Sequence, residues 1–331
     1  MEQVQRRPWR RWVVLVLMIV GFVLGGIFVP VQPEITVAAE RLIEEPLFNL
    51  GPLGPFYLVN TIPTLIVTLV LLGVIAYFTN RSLKKSAETD LVPRGIGNLM
   101  EAILEILYNL TEGSAGAKWA KAIFPWFATI LIYVLFANLL KLIPGFESIG
   151  VLHPAHGEGH AISQSGVLLA TKVKEGGYVL APFFRGISVD LNFTAALALI
   201  AVVMIQVIGF RAQGWGYLSK FFNTRRMFKV PFFGAMDFLV GLLELISELS
   251  KILSFAFRLF GNMFAGIVLV AIVAGLLGKI SILPAMVMMF ELFVGVIQAF
   301  VFGMLTMVFM AQATQGHGEE HEEAHAEAHE I

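Results

Sequence analysis

The chain has 331 residues, 57% of them hydrophobic and 14% charged, with a mean hydropathy of +0.79. Soluble globular proteins carry roughly 25% charged residues, so this composition excludes that class and points to a polytopic membrane protein. The net charge of −1 identifies no partner, because the charges are segregated along the chain, and the absence of cysteine excludes disulfides, thiolate metal sites and thiol chemistry.

Apolar runs of roughly 18 residues or more read as membrane helices. They cover Trp12–Val29, Tyr57–Phe78, Ala122–Ile143, Phe193–Phe210, Phe232–Gly278 and Ile282–Ala313. The basic arm "RRPWRRW" before the first run would also suit a signal peptide. The small-residue stretch "TVAAE" lies well past its end, however, so the run reads as an uncleaved anchor.

Basic residues of short loops mark the cytoplasmic side. They are Arg6, Arg7, Arg10 and Arg11 in the arm, Arg81, Lys84 and Lys85 after the second run, and Arg211, Lys220, Arg225, Arg226 and Lys229 after the fourth. Segment 30–56 carries Glu34, Glu40, Glu44 and Glu45 against Arg41, so it faces out. Six crossings with both termini in the cytoplasm satisfy this pattern.

"GIGNLMEAILEILYNLTE" precedes the third run, with Ile96, Leu99, Met100, Ile103, Leu104, Leu107 and Leu110 at helical spacing and Glu101, Glu105 and Asn109 opposite. It reads as an amphipathic helix on the cytoplasmic surface or against another subunit. The last two runs are unusual in length. Phe232–Gly278 as one helix would be roughly 70 Å long, against a hydrocarbon core of ~30 Å. Such a helix must tilt, bend or project, and "LGKISILP" turns it back into the sixth run. The expected fold is therefore all-α: about six transmembrane helices, a surface helix and a long tilted C-terminal hairpin.

The fifth run carries a polar stripe. At about 100° per residue from Glu244, Asp237 falls near +20°, Glu248 near +40°, Lys251 near −20°, Arg258 near −40° and Asn262 near 0°. Ser247 and Ser254 follow at about −60° and −80°. Glu291, Gln298 and Thr306 share one side of the sixth run with Gly295. These charges could simply pair, Arg258 with Glu291 for example, but desolvation offsets most of the gain in a buried ion pair. Burying Arg258 in lipid costs about 3 kcal/mol on insertion scales, which favours a proton or ion route. Arginine keeps its charge at any accessible pH, so it acts as a gate rather than a relay.

"LSFAFRLFGNMFAG" (Leu253–Gly266) resembles the signature of subunit a, the proton-channel stator of F-type ATP synthases. "VPRGIGNLMEAILEILYNL", "FPWFATILIYVLFANLLKLIPGF", "SVDLNFTAALAL" and "IQAFVFGMLTMVFM" resemble the same family. The resemblance spans residues 46–313. It leaves outside it residues 1–45 (arm, extra anchor and outer segment) and the acidic, His-containing cytoplasmic tail 314–331. It implies a multi-pass protein of a bacterial-type plasma membrane that is itself non-catalytic. Its implied partners are a ring of subunit c, peripheral-stalk subunit b and the rest of the complex. It further implies that Arg258 faces the ring carboxylate and separates two offset half-channels. Asn262, Glu291 and Gln298 then belong to the uptake path, Glu244 and Ser247 to the release path, and Asp190 to the outer end of the fourth crossing. One departure stands out: the position nine residues after the arginine, often ionisable in the family, is Ile267.

The alternative function is a secondary transporter or ion channel with an intramembrane Arg–Glu gate, although the halves show no repeat. No cofactor or nucleic-acid partner is expected, and no phosphate-binding loop of the GxxxxGK[ST] type is present, so ATP chemistry belongs to other subunits. The seven histidines fall in "HPAHGEGH" and in the tail, where His317, His321, His325 and His329 recur every fourth residue. That comb could bind metal, but it reads as a solvated acidic tail and no metal site is assigned.

Overall fold

The structure is a computed structural model that describes Trp12 and residues 37–43, 45–49, 51–88, 95–143, 149–154, 158–162, 168–175, 177–221, 231–277 and 283–315. The first apolar run beyond Trp12, the basic loop 222–230 and the tail from 316 lie outside these residues. Among the described residues, five helices are long and apolar enough to cross a membrane. They are α1 (Thr61–Glu88), α2 (Ile96–Leu140), α3 (Leu191–Gln213), α4 (Pro231–Leu277) and α5 (Leu283–Thr314). This is an all-α membrane protein, and the fifth and sixth apolar runs match α4 and α5 to within a residue or two.

Two elements differ from the sequence reading. The amphipathic segment and the third apolar run form one continuous element, α2, broken at Gly116 (φ 72, ψ 160). Only glycine adopts that backbone without strain, so the break falls where the sequence supplies one. The second difference lies between α2 and α3, where strands were not expected. β3 (Gly150–Pro154), β4 (Glu158–Ile162), β5 (Leu168–Glu175) and β6 (Tyr178–Pro182) form an antiparallel sheet in the order β3-β6-β4-β5. A smaller pair, β1 (Phe48–Asn49) and β2 (Pro55–Phe56), precedes α1.

The chain divides into two compact units. One comprises Met1–Thr61, Leu142–Arg185 and Ala265–Glu291. In it, Arg185 Nη1 donates to the Ala38 carbonyl at 2.9 Å, and the Arg41 guanidinium lies 3.8 Å from the centre of the Tyr57 ring. Phe48 and Phe56 stack across β1 and β2 with centroids 4.7 Å apart.

The other unit comprises Ile62–Lys141, Gly186–Phe264 and Leu292–Ile331. Its core draws Ile123, Phe127 and Val134 from α2, Ala198, Ala201 and Ile205 from α3, Leu259 and Met263 from α4, and Phe302, Met307 and Met310 from α5. Small residues set how closely the helices approach, as expected where lipid supplies no hydrophobic drive for helix association. A Cβ added at Gly303 of α5 would lie 2.9 Å from Leu131 Cβ of α2. Gly303→Val is therefore expected to destabilise this contact by about 1–3 kcal/mol, lowering the thermal inactivation midpoint of the detergent-solubilised protein. Gly73→Ala, where a Cβ meets nothing within 4 Å, is expected to leave that midpoint unchanged.

Candidate functional site

The site is built on α4. Its buried positions Gly241, Glu248, Phe255, Ala256, Leu259 and Met263 recur at helical spacing, while Leu249, Leu253 and Phe257 are exposed. The polar stripe runs along the margin between these two faces. Glu248 turns inward and is 6% exposed; Glu244, Lys251 and Arg258 are half-buried; Ser247, Ser254 and Asn262 are exposed. Most of the stripe therefore borders a surface that its own unit leaves uncovered. The side chain of Asp237 lies outside the described ones.

Arg258 Nη2 donates to Ser254 Oγ, one turn earlier, at 3.2 Å. A neutral hydroxyl leaves the guanidinium charge uncompensated by that bond, and the remaining donors keep their capacity for an acceptor from outside the helix. One turn further along, Asn262 Nδ2 donates to Gln298 Oε1 of α5 at 2.5 Å. Gln298 is 4% exposed, and its Nε2 is buried with no hydrogen-bond partner among the described residues. Buried polar atoms are nearly always satisfied, so this amide is suited to hold a water molecule.

Glu291 is likewise buried, at 6% exposure, on the face of α5 that carries Gly295, Gln298 and Thr306, all of them buried. Thr306 is satisfied within its own helix through the Phe302 carbonyl at 2.9 Å. Glu291 lies against Gly266: a Cβ there would stand 2.7 Å from Glu291 Oε1. The glycine before Ile267 thus makes room for the carboxylate that the sequence singled out. Asp190 is the N-cap of α3, where its carboxylate accepts from the Asn192 amide at 2.9 Å.

The sequence reading missed Asn138 and Ser188, and also Gln206 and Tyr217, which join two residues of the stripe. Asn138 of α2 is fully buried; its Nδ2 donates to the Gly295 carbonyl at 3.0 Å, and its Oδ1 accepts from Ser188 Oγ at 2.6 Å. This ties the segment before α3 to α2 and to α5 one turn before Gln298. Those two are Glu248 and Lys251. A lone Asn or Gln inside an apolar run was the available signal for both, since such a residue needs a partner across the helix interface.

The profile of the ATP synthase A chain family matches residues 61–311, a range that includes every site residue named above. The chain belongs to this family. It is similar to ATP synthase subunit a of Moorella thermoacetica, with 30% identity over 274 residues, covering 82% of this chain and 96% of the relative. It is also similar to subunit a of Gloeobacter violaceus (29% over 285 residues; 86% and 95% covered) and of a Campylobacter jejuni strain (32% over 251 residues; 74% and 86%). The protein is thus a multi-pass subunit of the membrane sector of ATP synthase and takes part in proton transport.

The contact at Gly266 yields a direct test. Gly266→Ala is expected to displace the Glu291 carboxylate and lower proton-driven ATP synthesis by about tenfold, the scale of a misplacement of about an ångström or less. Adding Glu291→Asp, which shortens the side chain, is expected to recover part of the loss in the same vesicle assay.

Proposed function

We propose that this subunit forms two offset proton half-channels against a ring of subunit c, with Arg258 as the fixed charge between them. The arrangement of α4 carries the reading: Arg258 stands on an uncovered margin, with Glu244 and Ser247 on one side along the helix and Asn262 on the other. In this reading Asn262, Gln298 and Glu291 serve proton uptake, Glu244 and Ser247 serve release, and Asp190 lies at the outer end. The subunit is non-catalytic, and ATP chemistry belongs to other subunits. Residues 46–313 form the subunit a domain, and peripheral-stalk subunit b and the rest of the complex are its further partners. It sits in a bacterial-type plasma membrane with both termini in the cytoplasm, residues 1–45 adding an anchor and 314–331 a tail.

The physics follows from separation of charge and path. One proton crossing 100 mV releases about 2.3 kcal/mol, and that energy turns a ring only if protons cannot pass straight from uptake to release. A permanent guanidinium repels hydronium and favours the ionised form of an approaching ring carboxylate, which then gives up its proton. An amine in the same place can lose its charge on desolvation. Arg258→Ala and Arg258→Lys are both expected to abolish proton-driven ATP synthesis in reconstituted complex, and full synthesis in the lysine variant would refute a fixed-charge role.

Glu291 is the titratable group of the uptake side, because Ile267 is apolar. Glu291→Gln is expected to cut proton-driven synthesis about a hundredfold, the low end for loss of a proton-transfer group. Glu291→Asp, or Ile267→Glu combined with Glu291→Gln, is expected to restore part of it. Near-normal synthesis in Glu291→Gln would move uptake to water held by Gln298 and Asn262.

A further inference from the structure

From Met236 to Ser254 only two described side-chain positions of α4 are buried, Gly241 and Glu248. The apolar residues of this stretch (Leu242, Leu243, Ile246 and Leu249 among them) are exposed. A cavity of about 380 Å³ flanks Glu248, lined by Val202 and Phe210 of α3, Leu245, Leu249 and Ile252 of α4, and Leu218. Dispersion contact across this part of the α3–α4 interface is therefore sparse. What joins the helices here is polar. Glu248 Oε2 accepts from Gln206 Nε2 of α3 at 2.8 Å, and Glu248 Oε1 accepts from Lys251 Nζ at 2.9 Å. Gln206 Oε1 accepts in turn from the Tyr217 hydroxyl at 2.7 Å. The Lys251 ammonium also lies 4.8 Å from the centre of the Phe309 ring of α5.

Tyr217 belongs to the 3-10 turn Gly214–Lys220 that follows α3, and it is 3% exposed. It reaches Gln206 because Gly209 has no side chain: a Cβ there would stand 2.5 Å from the tyrosine ring. The turn itself starts from Gly214 at φ 57. Two glycines thus allow the chain to fold back and aim one hydroxyl at one amide.

We infer that Tyr217, Gln206 and Glu248 form a polar clamp that positions the first half of α4, and with it Glu244 and Ser247. Charge-assisted hydrogen bonds from both sides hold the carboxylate in place. An amide between hydroxyl and carboxylate interrupts proton hopping, since its NH₂ only donates and its carbonyl only accepts. No proton therefore passes from Tyr217 to Glu248 through Gln206, and the clamp gives Glu248 a positioning role. The inference rests on the reading of α4 as the ring-facing helix.

Two readouts on the assembled complex in lipid vesicles test it: ATP synthesis driven by an imposed proton gradient, and amide hydrogen exchange over Phe238–Ser254. Glu248→Leu leaves Gln206 and Lys251 without their acceptor, and is expected to lower synthesis about tenfold and raise exchange over this stretch about tenfold. Tyr217→Phe and Gly209→Ala, milder changes at the far end of the clamp, are expected to shift both readouts about threefold. Glu248→Gln is expected to keep at least about half of synthesis and near-native exchange. In that variant Gln206 can flip, accepting from the new amide and donating to the tyrosine oxygen. Synthesis in Glu248→Gln as low as in Glu248→Leu would make the carboxylate itself the working group and overturn the clamp. Native exchange or native synthesis in Glu248→Leu and Tyr217→Phe would overturn it as well. Arg258→Ala, measured alongside, separates the two levels: intact synthesis there defeats the ring-facing reading, whatever the clamp variants do.

Discussion

A permanent positive charge on a membrane helix needs either polar company or water, and the organisation of α4 follows from that requirement. Placing Arg258 on a face packed against α5 would demand a buried carboxylate close by, at a desolvation cost that usually cancels the attraction. The helix instead sets its polar groups along the edge of its packed face. Glu248 faces inward onto Gln206, whereas Ser247 and Ser254 remain open on the other side. The arginine, between these environments, uses one neutral hydroxyl from its own helix and keeps its charge available.

The neighbouring helices are arranged to suit. With lipid outside, apolar burial gives little preference for helix–helix over helix–lipid contact, so close approach and hydrogen bonds set the geometry. Gly303 admits Leu131, Gly266 admits the Glu291 carboxylate, and Gly209 admits Tyr217. Asn138 fastens α5 at Gly295, and the Asn262–Gln298 bond fastens α4 to α5 near the arginine. Each polar link lies beside a residue proposed to handle protons, so rigidity and chemistry draw on the same few side chains.

Much of this was legible in the sequence, and the reasons differ by element. Long apolar runs define α1 to α5 because hydrocarbon tolerates little else. The stripe on α4 was visible from helical spacing alone, and the buried face of α5 through Glu291, Gln298 and Thr306 likewise. The sheet β3–β6 was missed because strands of five to eight residues leave no signal in a search for long apolar runs. "GVLLATKVKEGGYVLAP" does carry β-rich stretches on either side of a glycine pair, but local pattern would join them as a hairpin, whereas the order β3-β6-β4-β5 places β4 between β5 and β6. The Gly116 break could be suspected but not located, since Gly113 and Gly116 both stand in the same small-residue stretch and only one has positive φ. Periodicity placed Glu248 with Glu244, yet it could not say which of them turns inward, because that depends on Gln206 lying opposite. Partners 42 and 157 residues apart, as in Gln206–Glu248 and Asn138–Gly295, leave no mark on local pattern.

In the proposed arrangement the open margin of α4 meets a ring carboxylate. Because the chain contains no cysteine, one introduced at Ser254 reports without background. Oxidative crosslinking in the assembled complex, between that cysteine and one placed beside the ring carboxylate, tests this contact most directly. Efficient crosslinking is expected from Ser254→Cys and none from Met263→Cys, on the buried face. Crosslinking from Met263→Cys with none from Ser254→Cys would contradict it.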